Sequence, residues 1–431
     1  MLDIKFIQEN QDLVQEAARK KRLAGFNINN LLLVDDQRLK LLKEVEKMRA
    51  DQNKTSEIII KITDAARRVQ LIEDMKILKT RLVTKENELL EVMKKWQRLM
   101  LEVPNLPDIS VPEGTDDSQN QEIRAWGEKP TFSFAPRSHV ALMTALDLAD
   151  FERGAKVAGF RGYYLKNEGA QLSFALWQFT LDYFVKQGFT PLLAPSLVGK
   201  RAFLGTGYLP QSEEDLYKTQ DESYLAGTAE VATMAYYADE VLTLEELPKK
   251  FIAFSPCFRR EAGSHGKDTK GLIRVHEFFK LEQVILDEAD HGKSVTHHET
   301  LTAHAEALLQ ALELPYRVVV NCGGDLGLGQ VKKYDLEVWL PSEERYLETH
   351  SSSYFHDFQT RRLNLRYRDA EGKPRFAHSL NNTAAATPRL IAALVENYQQ
   401  PDGSLVVPEV LRPYLGQARI GSHEEEAGTG N

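Results

Sequence analysis

From Phe26 to Val103 the chain contains neither glycine nor proline. A soluble segment of that length without a breaker is unusual, and it reads as helical. Its apolar residues recur in steps of three and four: Leu31, Val34, Leu41, Val45, Met48, then Ile59 and Ile62, with Arg38, Gln52 and Thr55 interrupting. A second series runs Ile72, Met75, Leu82, Leu89, Met93, Trp96, Met100, interrupted by Lys79 and Glu86. Seams of this kind are heptads. Between them lies the polar run Thr63-Asp64-Ala65-Ala66-Arg67-Arg68. That break favours two helices doubling back as an antiparallel hairpin over one continuous helix in a parallel dimer. Each helix would hold roughly 35 residues and reach about 50 Å at 1.5 Å per residue. The outer faces are too charged to be buried.

A short helix, Gln8 to Arg22, precedes the hairpin and ends in Arg19-Lys20-Lys21-Arg22. Pro104, Pro107 and Pro112 stop the helical region. From about Trp126 short β-rich runs, such as Phe251–Phe254 and Tyr316–Val320, alternate with helices such as Gln171 to Lys186. There is no strict βαβ rhythm, so the expectation is an α+β body with a mainly antiparallel sheet flanked by helices. The expected divisions are a helical arm at 1–103, a linker at 104–125, the body at 126–415 and a small, acidic, disordered tail at 416–431. Of the net charge of −9, residues 1–103 carry +4 and the remainder −13. A basic appendage on an acidic body suits a polyanionic partner, although a solvated helical face would carry the same charges. No run of 18 apolar residues offers a membrane span, and Met1 to Asn10 lacks the apolar core of a secretory signal. Two cysteines, Cys257 and Cys322, exclude a disulfide framework and a four-cysteine zinc site. The expectation is a protein of the reducing cytoplasm, with these thiols serving as packing residues and His297 and His298 structural in a helix.

The run CFRREAGSHGKDTKGLIRVHEFFKLE, residues 257–282, is the most informative. It reads as a strand ending in Arg259-Arg260-Glu261, a polar glycine-containing loop with Lys267 and Lys270, and a second strand carrying Arg274, Phe278 and Glu282 at four-residue steps. Even spacing on a strand puts all three on one face. A guanidinium suits a phosphate, an aromatic ring a purine, and a carboxylate an ammonium. Cross-strand salt bridging on a wet sheet face would give the same spacing.

This run resembles motif 2 of the class II aminoacyl-tRNA synthetases in its seryl version, and the resemblance covers nearly the whole chain. Pro191 and Pro195 resemble motif 1, which implies a homodimer. Thr228-Ala229-Glu230 resembles the serine-recognition loop. Lys333 to Pro341, followed by Glu348 and Ser351, resembles the family's ATP and metal segment, and His378 to Thr383 followed by Arg389 resembles motif 3. The helical hairpin resembles the family's tRNA-binding arm.

The resemblance implies that Arg259 and Arg389 are catalytic and hold ATP phosphates. Glu261, Arg274 and Phe278 would complete the nucleotide site. Glu348 and Ser351 would bind ATP with Mg²⁺, and no zinc is expected. Thr228, Glu230, Arg259, Glu282, Asn381 and Thr383 would bind L-serine. Arg19, Lys20, Lys21, Arg22, Lys267 and Lys270 would touch tRNA(Ser), and tRNA(Sec) where present. No Walker-type phosphate loop occurs.

The chain departs from the family pattern at Thr349-His350, at Tyr354, at Asn381-Asn382-Thr383 and at Pro388. These changes leave the charged groups in place and bear on the shape of the serine pocket. Two other readings are an activating enzyme that loads a different acceptor and a non-catalytic RNA-binding paralogue. The basic hairpin speaks against the first, and the retained Arg259, Glu261, Glu282 and Arg389 against the second.

Overall fold

The computed structural model describes residues 1–263, 266 and 268–421, in two compact units. One comprises Leu2–Arg19 with Leu23–Pro104; the other comprises Met1, Lys20–Arg22 and the chain from Asn105 onward.

The first unit is helical. The expected single helix before the hairpin is two helices, α1 (Ile4–Glu9) and α2 (Gln11–Lys20). Asn10 breaks them, because its side-chain amide donates to Phe6 O at 3.0 Å. The breakerless stretch forms α3 (Ile28–Lys61) and α4 (Ala65–Glu102). They meet at Ile62–Asp64, where the Asp64 carboxylate accepts from the N–H groups of Ala66 and Arg67 and so starts α4. The chain is an antiparallel hairpin: Arg49 pairs with Glu86 at 2.7 Å and Lys85 with Glu44 at 3.2 Å. Leu31, Val34, Leu41, Val45, Leu82 and Met100 are buried. Arg38, which interrupts the seam, pairs with buried Asp35 and lays its guanidinium 4.8 Å from the Trp96 ring centre. Ile72 is a correction. It is 40% exposed, and the seam instead runs through Leu71, Met75, Leu78 and Leu82, which keeps the three-four step.

The second unit is built on an eight-stranded sheet. Its strands are β1 (Gln121–Trp126), β2 (Thr190–Leu193), β3 (Lys249–Phe258), β4 (Glu277–Asp287), β5 (Tyr316–Val320), β6 (Lys332–Leu340), β7 (Arg345–His356) and β8 (His378–Ala386). Their spatial order is β1-β5-β6-β7-β8-β4-β3-β2. Every pair is antiparallel except β2 with β3. The α+β expectation therefore describes this unit.

Alternation along the strands decides where the site lies. Leu281, Ile285, Tyr354, Leu380 and Ala384 pack in one core with Leu301 and Leu308 of α5 (His291–Ala311). Their strand neighbours Glu282, Ser353, Asn381 and Thr383 turn to the opposite face, where the cavity lies. His297 and His298 belong to α5. His298 is buried, stacked 4.6 Å from the Tyr334 ring. Cys257 and Cys322 are free thiols in the interior. The start of the expected tail is ordered: Arg419–Ile420 pairs with Leu405–Val406, because Ile420 buries its side chain in the core. Residues 422–431 lie outside the described residues. Among the described residues no helix is long and apolar enough to cross a membrane.

One buried polar chain braces a helix to the segments packed around it. In α6 (Thr387–Asn397), Glu396 accepts from the His139 ring at 2.8 Å, from His139 N at 2.9 Å and from Ser342 N at 3.1 Å. The other His139 ring nitrogen accepts from Leu272 N at 3.2 Å. Burial alone would raise the Glu396 pKa, but the bonds from His139 outweigh it and hold the carboxyl below its usual range. Glu396→Ala leaves three donors unpaired in the interior. It is expected to lower stability by about 2–4 kcal/mol in chemical denaturation.

Candidate active site

Thr228, Glu230, Arg259, Glu261, Arg274, Phe278, Glu282, Glu348, Ser351, Asn381, Thr383 and Arg389 all line one cavity. They arrive from several elements. Thr228 caps a short helix, Ala229–Ala235, its hydroxyl accepting from Glu230 N at 3.3 Å. That cap fixes Glu230 in the first turn, facing inward. Arg259 lies just past the end of β3, where its Nε donates to Gly227 O at 3.3 Å and its guanidinium sits 5.2 Å from the Phe278 ring centre. Phe278 and Glu282 share a face of β4, as their even spacing requires. Arg274 is a correction. It precedes β4, which begins at Glu277, and reaches the cavity from the loop, where its guanidinium bonds Glu261 at 2.6 Å.

Glu348 and Ser351 are three residues apart, a spacing that puts side chains on opposite faces of a regular strand. In β7 the register skips a residue. Leu336 faces His350 and Glu337 faces Glu348, with Thr349 as the extra residue. This bulge turns Glu348 and Ser351 to the same side. Arg389, in the first turn of α6, donates to Glu348 O at 2.7 Å and to Ile273 O at 3.1 Å, and lies 3.4 Å from the Glu348 carboxylate. Partial burial would raise the Glu348 pKa, but Arg389, Lys333 and Arg259 together hold it below the usual carboxylate range. Pro388 sits in the first turn of α6, where no N–H is required. His350 and Tyr354 do not line the cavity. His350 bonds Ala384 O at 3.1 Å and Tyr354 donates to Asp108 at 2.9 Å.

The deep end of the cavity concentrates charge. Glu282 is 2% exposed and forms an ion pair with Lys280, two residues back on the same face of β4. Burial pushes the Glu282 pKa up, and Lys280 and Arg259 oppose it. Glu230 accepts from Gln359 at 2.6 Å and from the Tyr208 hydroxyl at 3.1 Å. Burial first, and the charge of Glu282 second, raise its pKa to about 7. The carboxylates of Glu230 and Glu282 thus adjoin at one end of the cavity, and along the rest stand an aromatic ring and three guanidiniums, two of them paired with Glu261 and Glu348. Such a surface suits a ligand that carries an ammonium, a phosphate chain and a flat ring.

Lys280 and Tyr208 also line this cavity, and neither was among the sequence candidates. Lys280 carried a usable signal, since it lies midway between Phe278 and Glu282 on the same alternation. Tyr208 follows Gly207 in a loop and carried none.

The basic cluster before the hairpin needs revision. Lys21 is buried, its ammonium donating to three backbone carbonyls, so it is withdrawn as a surface contact for nucleic acid. Lys20 is partly buried beside Glu113 at 3.0 Å, whereas Arg19, Arg22 and Lys270 are exposed. Lys267 lies outside the described residues.

The model of the seryl-tRNA synthetase N-terminal domain matches residues 1–107, and that of the tRNA synthetase class II core domain (G, H, P, S and T) matches residues 214–398. The chain is 47% identical to a serine–tRNA ligase of Deinococcus radiodurans, over 97% of this chain and 99% of that one. It is 44% identical to one of Trichlorobacter lovleyi, over 96% and 98%. The seryl-tRNA synthetase of Pyrococcus horikoshii, solved as a complex with ATP, superposes with a TM-score of 0.90 at 38% identity, covering 97% of this chain and 99% of that one. The cytoplasmic serine–tRNA ligase of Naegleria fowleri, solved with AMP, gives a TM-score of 0.85 at 30% identity, covering 97% and 98%. With its N-terminal and core domains both matched and relatives similar over nearly its whole length, the chain belongs to the seryl-tRNA synthetases, the class II ligases that join serine to tRNA.

Proposed function

We propose that the cavity binds ATP and L-serine side by side, and that the observation carrying this is one surface that gathers the adjoining buried carboxylates Glu230 and Glu282 with Arg259, Arg274, Arg389 and the Phe278 ring. The serine ammonium meets Glu282 and Thr228, and its hydroxyl meets Thr383 and Asn381, with Glu230 closing the pocket. The adenine stacks on Phe278 and offers its amino group to Glu261, and Arg274 exchanges its bond with Glu261 for the triphosphate. Arg259 and Arg389 grip the phosphates from two sides. In the first step a serine carboxylate oxygen attacks the α-phosphorus and pyrophosphate leaves, giving seryl-adenylate. Arg259 stabilises the charge that builds on the phosphoryl oxygens, an effect of preorganised donors in a dry site. In the second step the ribose hydroxyl of the tRNA 3′-terminal adenosine attacks the acyl carbonyl and AMP leaves.

Glu348 and Ser351 supply hard oxygen donors on one face and would hold a Mg²⁺ ion. Ser351 is paired in register with the buried Asp335 across β6 and β7. Such an ion would neutralise the leaving pyrophosphate. Selectivity against alanine follows from the polar groups that would be stranded without the substrate hydroxyl, whereas threonine is rejected by size alone. The enzyme acts in the cytoplasm, and tRNA(Ser), with tRNA(Sec) where present, is its acceptor.

Glu282→Gln removes the charge facing the ammonium. It should raise the serine KM on the order of 10²-fold and leave the ATP KM within about threefold, read by serine-dependent exchange of pyrophosphate into ATP. Equal loss for both substrates contradicts the placement of serine.

The arm, with Arg19, Arg22 and the hairpin lysines, holds tRNA by shape and phosphate contacts. Lys20 and Lys270 are placed to contribute. Deleting residues 30–100 should leave pyrophosphate exchange near its full rate while charging of tRNA falls by several orders of magnitude. Unchanged charging removes the arm from tRNA binding.

A second copy of the chain covers the apolar face formed by Phe174, Trp177, Pro191, Leu193 and Phe254, on which Leu193 is 86% exposed. Leu193→Asp should sediment as a monomer where the parent chain sediments as a dimer; a parent chain that is itself monomeric rules the interface out.

A further inference from the structure

Loop 327–330 forms one wall of the cavity, and residues remote in the sequence hold it in place. Lys21 is 4% exposed, and its ammonium donates to Gly327 O at 3.0 Å, Leu328 O at 2.9 Å and Gln330 O at 2.6 Å. Burial drives its pKa well below the usual lysine range, and these carbonyl dipoles are what face the charge. Asn105 takes hold from another side. Its N–H donates to Leu328 O at 2.9 Å, and its side-chain amide donates to Gly329 O at 3.1 Å and Phe355 O at 2.7 Å. Gln330 closes the loop on itself, accepting from Gly327 N at 2.6 Å and donating to the Ser353 hydroxyl at 2.8 Å. Five of these bonds fall on four consecutive carbonyls.

The wall stands at the acidic end of the cavity. Gly329 packs against the Phe358 ring so closely that a Cβ would lie 2.5 Å from it, and Gly207 meets the same ring, where a Cβ would lie 2.9 Å away. Next to Gly207, Tyr208 bonds Glu230. Ser353, which Gln330 bonds, is paired in register with Asn381. The loop therefore borders Glu230 and Asn381, the side-chain end of the serine pocket.

We infer that Lys21 and Asn105 are positioning residues for substrate specificity: by pinning loop 327–330 they make it a rigid wall that leaves no room for the extra methyl group of threonine. This rests on the serine pocket proposed above. One methyl group gives only about 10–200-fold discrimination even in a stiff pocket. A wall that yields by a fraction of an ångström loses that margin, because van der Waals repulsion is what enforces it. Neither residue touches substrate. Lys21 and Asn105 flank the helical hairpin in the sequence.

The test uses full-length Lys21→Met and Asn105→Leu, assayed by pyrophosphate exchange with serine and with threonine in the absence of tRNA. In Lys21→Met, Leu328 O keeps the Asn105 N–H, while Gly327 O and Gln330 O lose the ammonium. In both variants the serine KM should rise about tenfold, the ATP KM should stay within about twofold, and the serine-to-threonine ratio of kcat/KM should fall about tenfold. Lys21→Arg, which keeps donors at the site, should restore most of that ratio. A wild-type ratio in both variants overturns the inference, as does a parallel rise of the serine and ATP KM values. If Glu282→Gln raises the serine KM while Lys21→Met and Asn105→Leu change nothing, the wall is lost and the pocket assignment stands. If Glu282→Gln also spares serine, both fall.

Discussion

Ionised groups removed from water are tolerated only when each has a partner, and this constraint organises the catalytic unit. Glu282 has Lys280, and Glu230 has Gln359 and Tyr208. Lys21 and Glu396 are satisfied in turn by carbonyls and by the His139 ring and two backbone N–H groups. The sheet makes this arrangement possible. Its helix-facing side spends the apolar residues of β4, β7 and β8 on α5, which leaves the alternate positions free to carry charge.

The same constraint explains how the site can change partners during a reaction. Arg274 rests on Glu261, Arg389 on Glu348 and Lys280 on Glu282. Two of the guanidiniums and the carboxylate of Glu282, which the proposed mechanism needs, are thus already paired with an opposite charge in the free protein. Substrate binding then becomes an exchange of one ion pair for another, which is less costly than desolvating isolated charges.

The hairpin was legible because helix and heptad periodicities act between residues three and four apart. Even so, one seam position was misread: Ile72 and Leu71 are both apolar neighbours, and only the packing of α3 against α4 selects Leu71. Phe278 and Glu282 were legible from strand alternation, and the same rule should have included Lys280. Glu348 and Ser351 were reached through family resemblance alone. Their odd spacing contradicts alternation, and the bulge at Thr349 that reconciles them depends on the pairing of β7 with β6. Lys21 was misassigned because a basic run looks the same whether it meets solvent or carbonyls.

By itself the sequence determined a long antiparallel hairpin, an antiparallel-rich body, and the residue types from which a nucleotide and amino-acid site is made. All of these follow from interactions within one element or from composition. Only the tertiary structure decided which charges are buried, which faces a bulge turns inward, and which loop walls the pocket. Those outcomes depend on groups brought together from far apart: the ammonium of Lys21 finds its carbonyls 306 positions or more along the chain, where no local periodicity can reach.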